Sequence, residues 1–170
     1  LENLVTKGDG LVLGGGMGNT FLLAKGKPIG ASLAEPDMVD TAHRIIDVAA
    51  LHNCQILLPQ AVVVAVEFKH GAAHRLVSSD DVADGEMILD AGAESVAAAM
   101  AFLDRCSTIV WNGPMGAFEI PPFDAATTAL ARAVATKPQN DGVMSVAGGG
   151  DTMAALANAG VNDQFSYVST

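Results

Sequence analysis

Short apolar runs rich in β-branched residues alternate with alanine-rich stretches of helical periodicity, and this alternation constrains the fold more than any other feature. Strand-like runs occupy 10–13, 55–58, 62–65, 87–90, 107–111, 142–147 and 166–169. Helical patterns occupy 17–25, 38–52, 93–104 and 125–136, and a further one runs through 153–157. Apolar strands separated by helices are typical of a parallel sheet covered on both faces. The sequence therefore predicts an α/β fold, a three-layer, doubly wound, Rossmann-like sheet that is mostly parallel.

The chain shows no internal boundary that would divide it. It has 170 residues, half of them hydrophobic, and contains neither a sequence repeat nor a low-complexity linker. A chain of this length can bury one core of ordinary size. The polar, aspartate-rich segment 69–85 interrupts the alternation and predicts a loop. We therefore expect a single domain over residues 1–170.

Charge and composition exclude several classes of function. The net charge of −10 argues against nucleic-acid binding, which requires a basic face to displace counterions. The sequence has no apolar run of membrane-spanning length and no secretory leader, so it predicts a cytoplasmic protein without a membrane partner. Cys54 and Cys106 are predicted to be buried free thiols, and the four histidines form no metal-binding pattern with them.

The sequence Gly148-Gly149-Gly150-Asp151-Thr152 lies between an apolar strand and a helical pattern. Glycines let backbone N–H groups approach an anion closely, and the following helix directs the positive end of its dipole to the same place. A carboxylate there suits Mg²⁺, which binds one or two carboxylates together with the phosphate oxygens of a nucleotide. The pattern favours a phosphate site with Asp151 as metal ligand, although a simple strand-to-helix turn would have the same composition.

Two other polar segments also follow strands. Gly14-Gly15-Gly16 follows the first strand, and residues 112–119 follow the strand that ends at Trp111. In doubly wound sheets, ligands bind beyond the carboxyl ends of the strands, so the three segments together predict one ligand site. Taken singly, the glycines are equally compatible with close helix packing, Asn112-Gly113-Pro114 with an ordinary turn, and Glu119 with a solvated charge.

Several motifs, taken in order, resemble the C-terminal, nucleotide-binding half of phosphoglycerate kinase. They are Leu-Gly-Gly-Gly-Met at 13–17, Ile-Gly with Ser-Leu at 29–33, Leu-Pro at 58–59, Trp-Asn-Gly-Pro through Phe-Glu at 111–119, Gly-Gly-Gly-Asp-Thr at 148–152 and Val-Ser-Thr at 168–170. The resemblance covers essentially the whole chain. It implies reversible phosphoryl transfer between ATP and 3-phosphoglycerate in glycolysis, giving ADP and 1,3-bisphosphoglycerate, with Mg²⁺ on the nucleotide and a monomeric full-length enzyme.

The resemblance also implies roles for individual residues. The phosphates fall at Gly149, Gly150, Asp151 and Thr152, where the N–H groups of the two glycines stabilise the transferring phosphate and Asp151 binds the metal. Asn112 falls at the phosphate chain and Glu119 at the ribose. The residues placed around the nucleoside are Gly15, Gly16, Leu33, Leu89 and Pro114, the first four near the base.

The chain lacks other parts of the family pattern. We expect it to be a fragment, because the phosphoglycerate-binding domain, its catalytic arginine, a preceding phosphate-binding lysine and a glycine-rich helix start after Thr170 have no counterpart in it. It also departs from the family at Gly18, Ala61, Ile88 and Ala93. Ile88 replaces a glycine near the adenine and is predicted to narrow that pocket, whereas the other three affect turns and helix starts.

Two alternatives remain. A dinucleotide-binding oxidoreductase would require G-x-G-x-x-G, which Gly14 to Asn19 do not supply, and an acidic residue at the end of the next strand, where Pro59 follows Leu58. The second is a truncated nucleotide-binding module without catalysis. Binding of ATP without turnover would distinguish this module from an active kinase.

Overall fold

The computed structural model describes residues 1–169, apart from the side chains of residues 138 and 139, and shows an α/β fold. The helices are α1 Glu2–Val5, α2 Gly15–Ala24, α3 Val39–Leu51, α4 Ala93–Leu103, α5 Ala125–Asn140 and α6 Gly150–Ala159, with a 3₁₀ turn at Pro36–Met38. The strands are β1 Gly10–Val12, β2 Gln55–Leu57, β3 Ala61–Ala65, β4 His74–Ser78, β5 Met87–Ala91, β6 Thr108–Asn112, β7 Met144–Gly148 and β8 Tyr167–Ser169. The last residue of the Val-Ser-Thr motif, Thr170, lies outside the described residues.

The strands form three hydrogen-bonded groups. β1 pairs with β2, and β6, β7 and β8 lie side by side, all in parallel. β3 lies between β4 and β5 and pairs with both in antiparallel orientation. The predicted α/β fold with parallel sheets flanked by helices is confirmed, and the antiparallel group is an addition to it.

Strand β4 lies within the segment 69–85 that was predicted to be a loop, so that prediction was wrong. β4 is an edge strand whose side chains are mostly exposed; only Val77 is partly buried. An edge strand of this kind is held by backbone hydrogen bonds to its neighbour and buries little apolar surface. The polar sequence of β4 therefore lacks the apolar alternation by which a strand is predicted.

Two clusters form most of the core. One packs α5 and α6 against β6 and β7, and its fully buried members include Ala131, Ala147 and Leu156. The other packs α1, α2 and α3 together around Val5 and Phe21. Each helix thus buries an apolar face against a sheet or another helix, which holds the strand ends in place.

Three further sequence predictions can be compared with the structure. Helix α2 begins at Gly15, two residues before the predicted start, because Gly14 adopts the extended conformation of an N-cap and the helix follows at once. Cys54 is a buried free thiol as predicted, whereas Cys106 is free but only half-buried. Over residues 1–169, no helix combines the length and the hydrophobicity needed to cross a bilayer.

Candidate functional site

The loop of residues 113–119, here called the central loop, follows β6 and contacts both glycine-rich turns. At its start, the backbone N–H of Gly113 donates to Oγ1 of Thr152, 2.7 Å away, in the first turn of α6. Thr152 is almost fully buried, and Asn112 is paired with Gly148 across β6 and β7. The ends of these two strands therefore hold the central loop against the start of α6.

Gly149 occupies a position where only glycine fits. Its φ of +93° is unfavourable for residues with a Cβ atom, and a Cβ there would lie 2.8 Å from Oδ1 of Asn112. Gly149 is the N-cap of α6, and no side chain caps this end of the helix. The first backbone N–H groups of α6 therefore have no intrahelical partner. At Gly150, by contrast, a Cβ would meet no atom within 4 Å.

The central loop also contacts the first glycine turn. The N–H of Gly15 donates to the carbonyl oxygen of Met115 at 3.0 Å. Gly15 has a φ of +60°, and a Cβ there would lie 3.4 Å from the carbonyl oxygen of Pro114. The start of α2 and the start of α6 are thus joined through one loop.

Leu33 is exposed at 79%, yet its backbone is held firmly. Nδ2 of the buried Asn19 donates to the carbonyl oxygen of Leu33 at 3.0 Å. A Cβ at Gly16 would lie 3.4 Å from Cδ2 of Leu33. Together with the exposed side chains of Met17 and Met38, Leu33 lines a cleft of about 590 Å³. Apolar surface held in an open cleft suits contact with a flat, uncharged group such as a base.

Leu89 contacts the central loop through its backbone. Its side chain is buried in a cluster with Ala65, Ala72 and Phe123, while its carbonyl oxygen accepts a hydrogen bond from Ala117 N–H at 2.7 Å. Leu89 therefore anchors the central loop to the core through its backbone carbonyl.

Ile88 lies next to Leu89 and packs against the buried cluster of Val62, Val64 and Val82. Its N–H donates to Oγ of Ser32 at 2.7 Å, which ties the segment before Leu33 to β5. The side chain of Ile88 is thus partly buried against the core, and the predicted narrowing of the base pocket stays a prediction.

The two acidic site residues are exposed. Asp151 lies in the first turn of α6, and Glu119 lies in the central loop. Neither takes part in an ion pair with another residue of the described chain. Both carboxylates are therefore open to a ligand or a cation.

The structure places most of the predicted site residues close to the central loop or close to one another. They are Gly15, Gly16, Leu33, Leu89, Asn112, Pro114, Gly149 and Thr152. Gly150 and Asp151 follow in the same turn, and Glu119 lies in the same loop. Sequence reasoning missed Asn19 and Asp90, two buried polar residues that support this region. A polar side chain within an apolar helix or strand pattern was the available signal.

Comparison with known proteins decides the family. The sequence model described as phosphoglycerate kinase matches residues 1–170. This chain belongs to the phosphoglycerate kinase family. It is 58% identical to a phosphoglycerate kinase from Xanthobacter autotrophicus and 57% identical to one from Rhodospirillum centenum, over 170 residues in each case. These matches cover 100% of the chain but only 43% of each relative.

Solved structures of phosphoglycerate kinases have the same fold. The structure from Coxiella burnetii has a TM-score of 0.94 and 44% identity, covering 99% of this chain and 42% of the other. The structure from Pyrococcus horikoshii has a TM-score of 0.81 and 26% identity, with the same coverage. The chain therefore spans less than half the length of these phosphoglycerate kinases.

Proposed function

We propose that this chain is the nucleotide-binding part of a phosphoglycerate kinase. Such an enzyme transfers a phosphoryl group reversibly between ATP and 3-phosphoglycerate in glycolysis. The observation that carries the proposal is that the central loop contacts the starts of both α2 and α6. One elongated ligand, with a base at one end and phosphates at the other, can then contact both helix starts.

The phosphate end of the nucleotide is assigned to the start of α6. The backbone N–H groups of Gly149 and Gly150 face the phosphates, and the helix dipole favours negative charge at this position. The side chain of Asn112 lies beside the same turn, with Oδ1 near Gly149. We assign its Nδ2 amide group, on the other side of the side chain, as a donor to the phosphate chain. Thr152 holds Gly113 through its hydroxyl, so its role includes shaping the turn. Phosphoryl transfer depends chiefly on alignment and on donors aimed at the migrating oxygens, which these groups supply.

The residues present fit a magnesium ion bound together with the nucleotide. Asp151 offers one open carboxylate beside the N–H groups of the turn, and Mg²⁺ commonly combines one carboxylate with phosphate oxygens and water. Within residues 1–169, no cluster of three or more histidine, cysteine or acidic side chains forms a separate metal cage. A bound Mg²⁺ would neutralise negative charge on the phosphate oxygens.

The nucleoside end is assigned to the cleft beside α2. Gly16 and Leu33 form its apolar wall, with Gly15 and Pro114 at the junction with the central loop. Glu119 accepts hydrogen bonds from the ribose hydroxyls in this assignment. Leu89 supports the loop from the core.

The second substrate requires parts that this chain does not span. We assign 3-phosphoglycerate and the cationic side chain that stabilises the transferring group to the remaining length of the relatives. The isolated chain should therefore bind ATP or ADP but turn over slowly, since removing such a charge-stabilising group costs a factor of roughly 10³ or more. For the whole enzyme we propose a cytoplasmic monomer that binds neither nucleic acid nor membranes.

The nucleotide proposal can be tested by calorimetry with Mg·ATP and adenosine as ligands. Asp151→Ala should weaken Mg·ATP binding much more than adenosine binding, because only the former uses the metal. Asp163→Ala, an exposed aspartate after the same helix, is the matched control for loss of one negative charge. Equal losses of affinity for both ligands would contradict a metal role for Asp151.

The catalytic proposal can be tested with a coupled assay for 1,3-bisphosphoglycerate. The chain is assayed beside the same chain joined to the remaining segments of a phosphoglycerate kinase. Turnover is expected only in the joined protein. Nucleotide binding without turnover in both would instead favour the non-catalytic binding module.

A further inference from the structure

A buried carboxylate that the proposed site does not use lies directly beneath the central loop. Asp90 follows Leu89 in β5 and is only 2% exposed. One of its oxygens, Oδ1, accepts a hydrogen bond from Ala91 N–H at 2.9 Å, and Oδ2 accepts one from Ala126 N–H at 3.0 Å. Ala126 lies in the first turn of α5, so Asp90 satisfies one free N–H group of that helix.

The central loop rests on the same carboxylate. A Cβ at Gly116 would lie 2.5 Å from Oδ1 of Asp90 and 2.5 Å from the carbonyl oxygen of Leu89. Only a residue without a side chain can approach so closely. The next residue, Ala117, donates its N–H to that Leu89 carbonyl.

The contact depends on an irregularity in β5. Val63 is paired with Asp90 and Val64 with Ile88, so Leu89 is an extra residue in the β5 strand. A bulge of this kind leaves one residue outside the regular ladder and redirects its backbone. Here the carbonyl oxygen of Leu89 accepts a hydrogen bond from Ala117 N–H in the central loop.

The electrostatic environment of Asp90 is unusual. Burial raises the pKa of its carboxyl to about 7, the two backbone N–H groups oppose that rise, and the negative charge of Asp124 adds to it. Among the described residues, no cation forms an ion pair with Asp90. The side chain is therefore held by N–H donors alone and titrates near neutral pH.

We propose that Asp90 is a positioning residue of the nucleotide site, whose ionised carboxylate bonds the start of α5 and packs against Gly116, so that the central loop is kept in place to accept the nucleoside. The proposal rests on the nucleotide-binding function proposed above. Protonation places a hydrogen on an oxygen that already receives an N–H donor, which weakens the hydrogen bond from Ala126 and loosens the start of α5. The central loop is bonded to that turn, because Met115 N–H donates to Oγ1 of Thr127 at 3.0 Å, so the loop is loosened with it. Acidification should therefore lower nucleoside affinity.

The first test measures adenosine affinity by calorimetry between pH 6 and pH 8. Adenosine carries no phosphate, so titration of the ligand's phosphates cannot produce the effect. If only the ionised form binds, a group with a pKa of about 7 gives about a tenfold loss of affinity from pH 8 to pH 6. The wild-type chain and the exposed control Asp84→Asn should show this loss, whereas Asp90→Asn should bind weakly and with no such pH dependence.

A second measurement keeps the proposal testable if Asp90→Asn fails to fold. The carboxyl carbon of Asp90 and the backbone amide of Gly116 can be followed by NMR in the wild-type chain without ligand. Both should titrate with the same midpoint. A Gly116 amide that does not respond to the Asp90 carboxyl, or an Asp90→Asn variant that keeps the wild-type pH dependence, would overturn the positioning role. Failure of the wild-type chain to bind adenosine or Mg·ATP at any pH would instead contradict the proposed function.

Discussion

The hydroxyl of Thr152 accepts a hydrogen bond from the backbone N–H of Gly113 at 2.7 Å, which joins the phosphate turn to the central loop. The two residues are far apart in the chain, and Thr152 is almost fully buried. The Gly113 N–H is partly buried, so water replaces a lost acceptor there only incompletely. This one contact should therefore matter for both stability and nucleotide binding.

Thr152→Val keeps the volume of the side chain but removes the acceptor. It should lower the free energy of unfolding by about 1–3 kcal/mol, because Gly113 N–H is left unsatisfied. Thr152→Ser retains the hydroxyl and loses one methyl group, which should cost about 0.8 kcal/mol. Urea unfolding measures both variants. Equal destabilisation would show that the hydroxyl contributes nothing beyond packing.

Gly149→Ala should destabilise the chain by about 1–3 kcal/mol, since the φ of +93° is strained for alanine and its Cβ would lie 2.8 Å from Oδ1 of Asn112. Gly150→Ala is the matched control, because a Cβ there meets no atom within 4 Å. It should leave stability nearly unchanged or raise it slightly. Thermal unfolding of both variants without ligand makes the comparison. A stable Gly149→Ala chain would mean that the turn can relax.

Glu119→Gln should weaken ATP binding by about 1–2 kcal/mol, the usual scale of a charge-assisted hydrogen bond to ribose. Its effect on a 2′,3′-dideoxy analogue should be small, because that ligand lacks the hydroxyl donors. Calorimetry with both ligands measures the difference. A loss of the same size for the dideoxy analogue would remove Glu119 from the ribose site.

Glu86 should contribute stability that depends on pH in the acidic range. Its two hydrogen bonds from Arg75 and one from Ala83 N–H lower the pKa of its carboxyl from 4.5 to about 2. A lowered folded-state pKa means that the stabilisation is complete above about pH 4.5 and is lost as the pH falls toward 2. Glu86→Gln should remove this dependence.

Thermal unfolding between pH 2 and pH 6 measures the effect. Glu67→Gln is the control, because Glu67 forms an ion pair with Lys69 in which both side chains are 62% exposed. Such an exposed pair contributes little, so the control should follow the wild-type curve. If the stability of Glu86→Gln depended on pH in the same way as that of the wild-type chain, the proposed contribution of Glu86 would be contradicted.

The face of β6, β7 and β8 that lies opposite α5 and α6 should make the isolated chain self-associate. Val110 and Tyr167 are paired in register with Val146 on that face, and they are 71% and 66% exposed. Parallel sheets are normally covered on both faces, and a contiguous apolar surface favours association. Sedimentation velocity should show oligomers that increase with concentration.

The double variant Val110→Thr with Tyr167→Thr should reduce this association, since threonine retains a high strand propensity at both positions while apolar area is lost. Leu51→Gln removes an equally exposed apolar side chain from α3 and should not change it. If the wild-type chain, the double variant and Leu51→Gln all associated to the same extent, the surface that mediates association would lie elsewhere.

The sequence by itself determined the α/β class, most element positions and the family. Strand runs such as Ser107 to Trp111 and helix patterns such as Ala93 to Asp104 agree with β6 and α4 within one or two residues. The motifs at 111–119 and 148–152 carried the resemblance to phosphoglycerate kinase, and comparison with the family confirmed it. These properties are local: periodicity and short motifs are read from neighbouring residues. The assignment of individual nucleotide-binding residues stays a prediction.

Only the tertiary structure decided how the site is assembled. The contacts of Gly15 with Met115, Gly113 with Thr152, and Gly116 with Asp90 join segments that are distant in sequence. The exposed edge strand β4 and the bulge at Leu89 were likewise hidden, because they depend on which strand lies beside them. Periodicity reports whether a side chain is buried, but the partner that it meets is set by how the elements pack. That is why Asp90 and the support of the central loop emerged only from the folded chain.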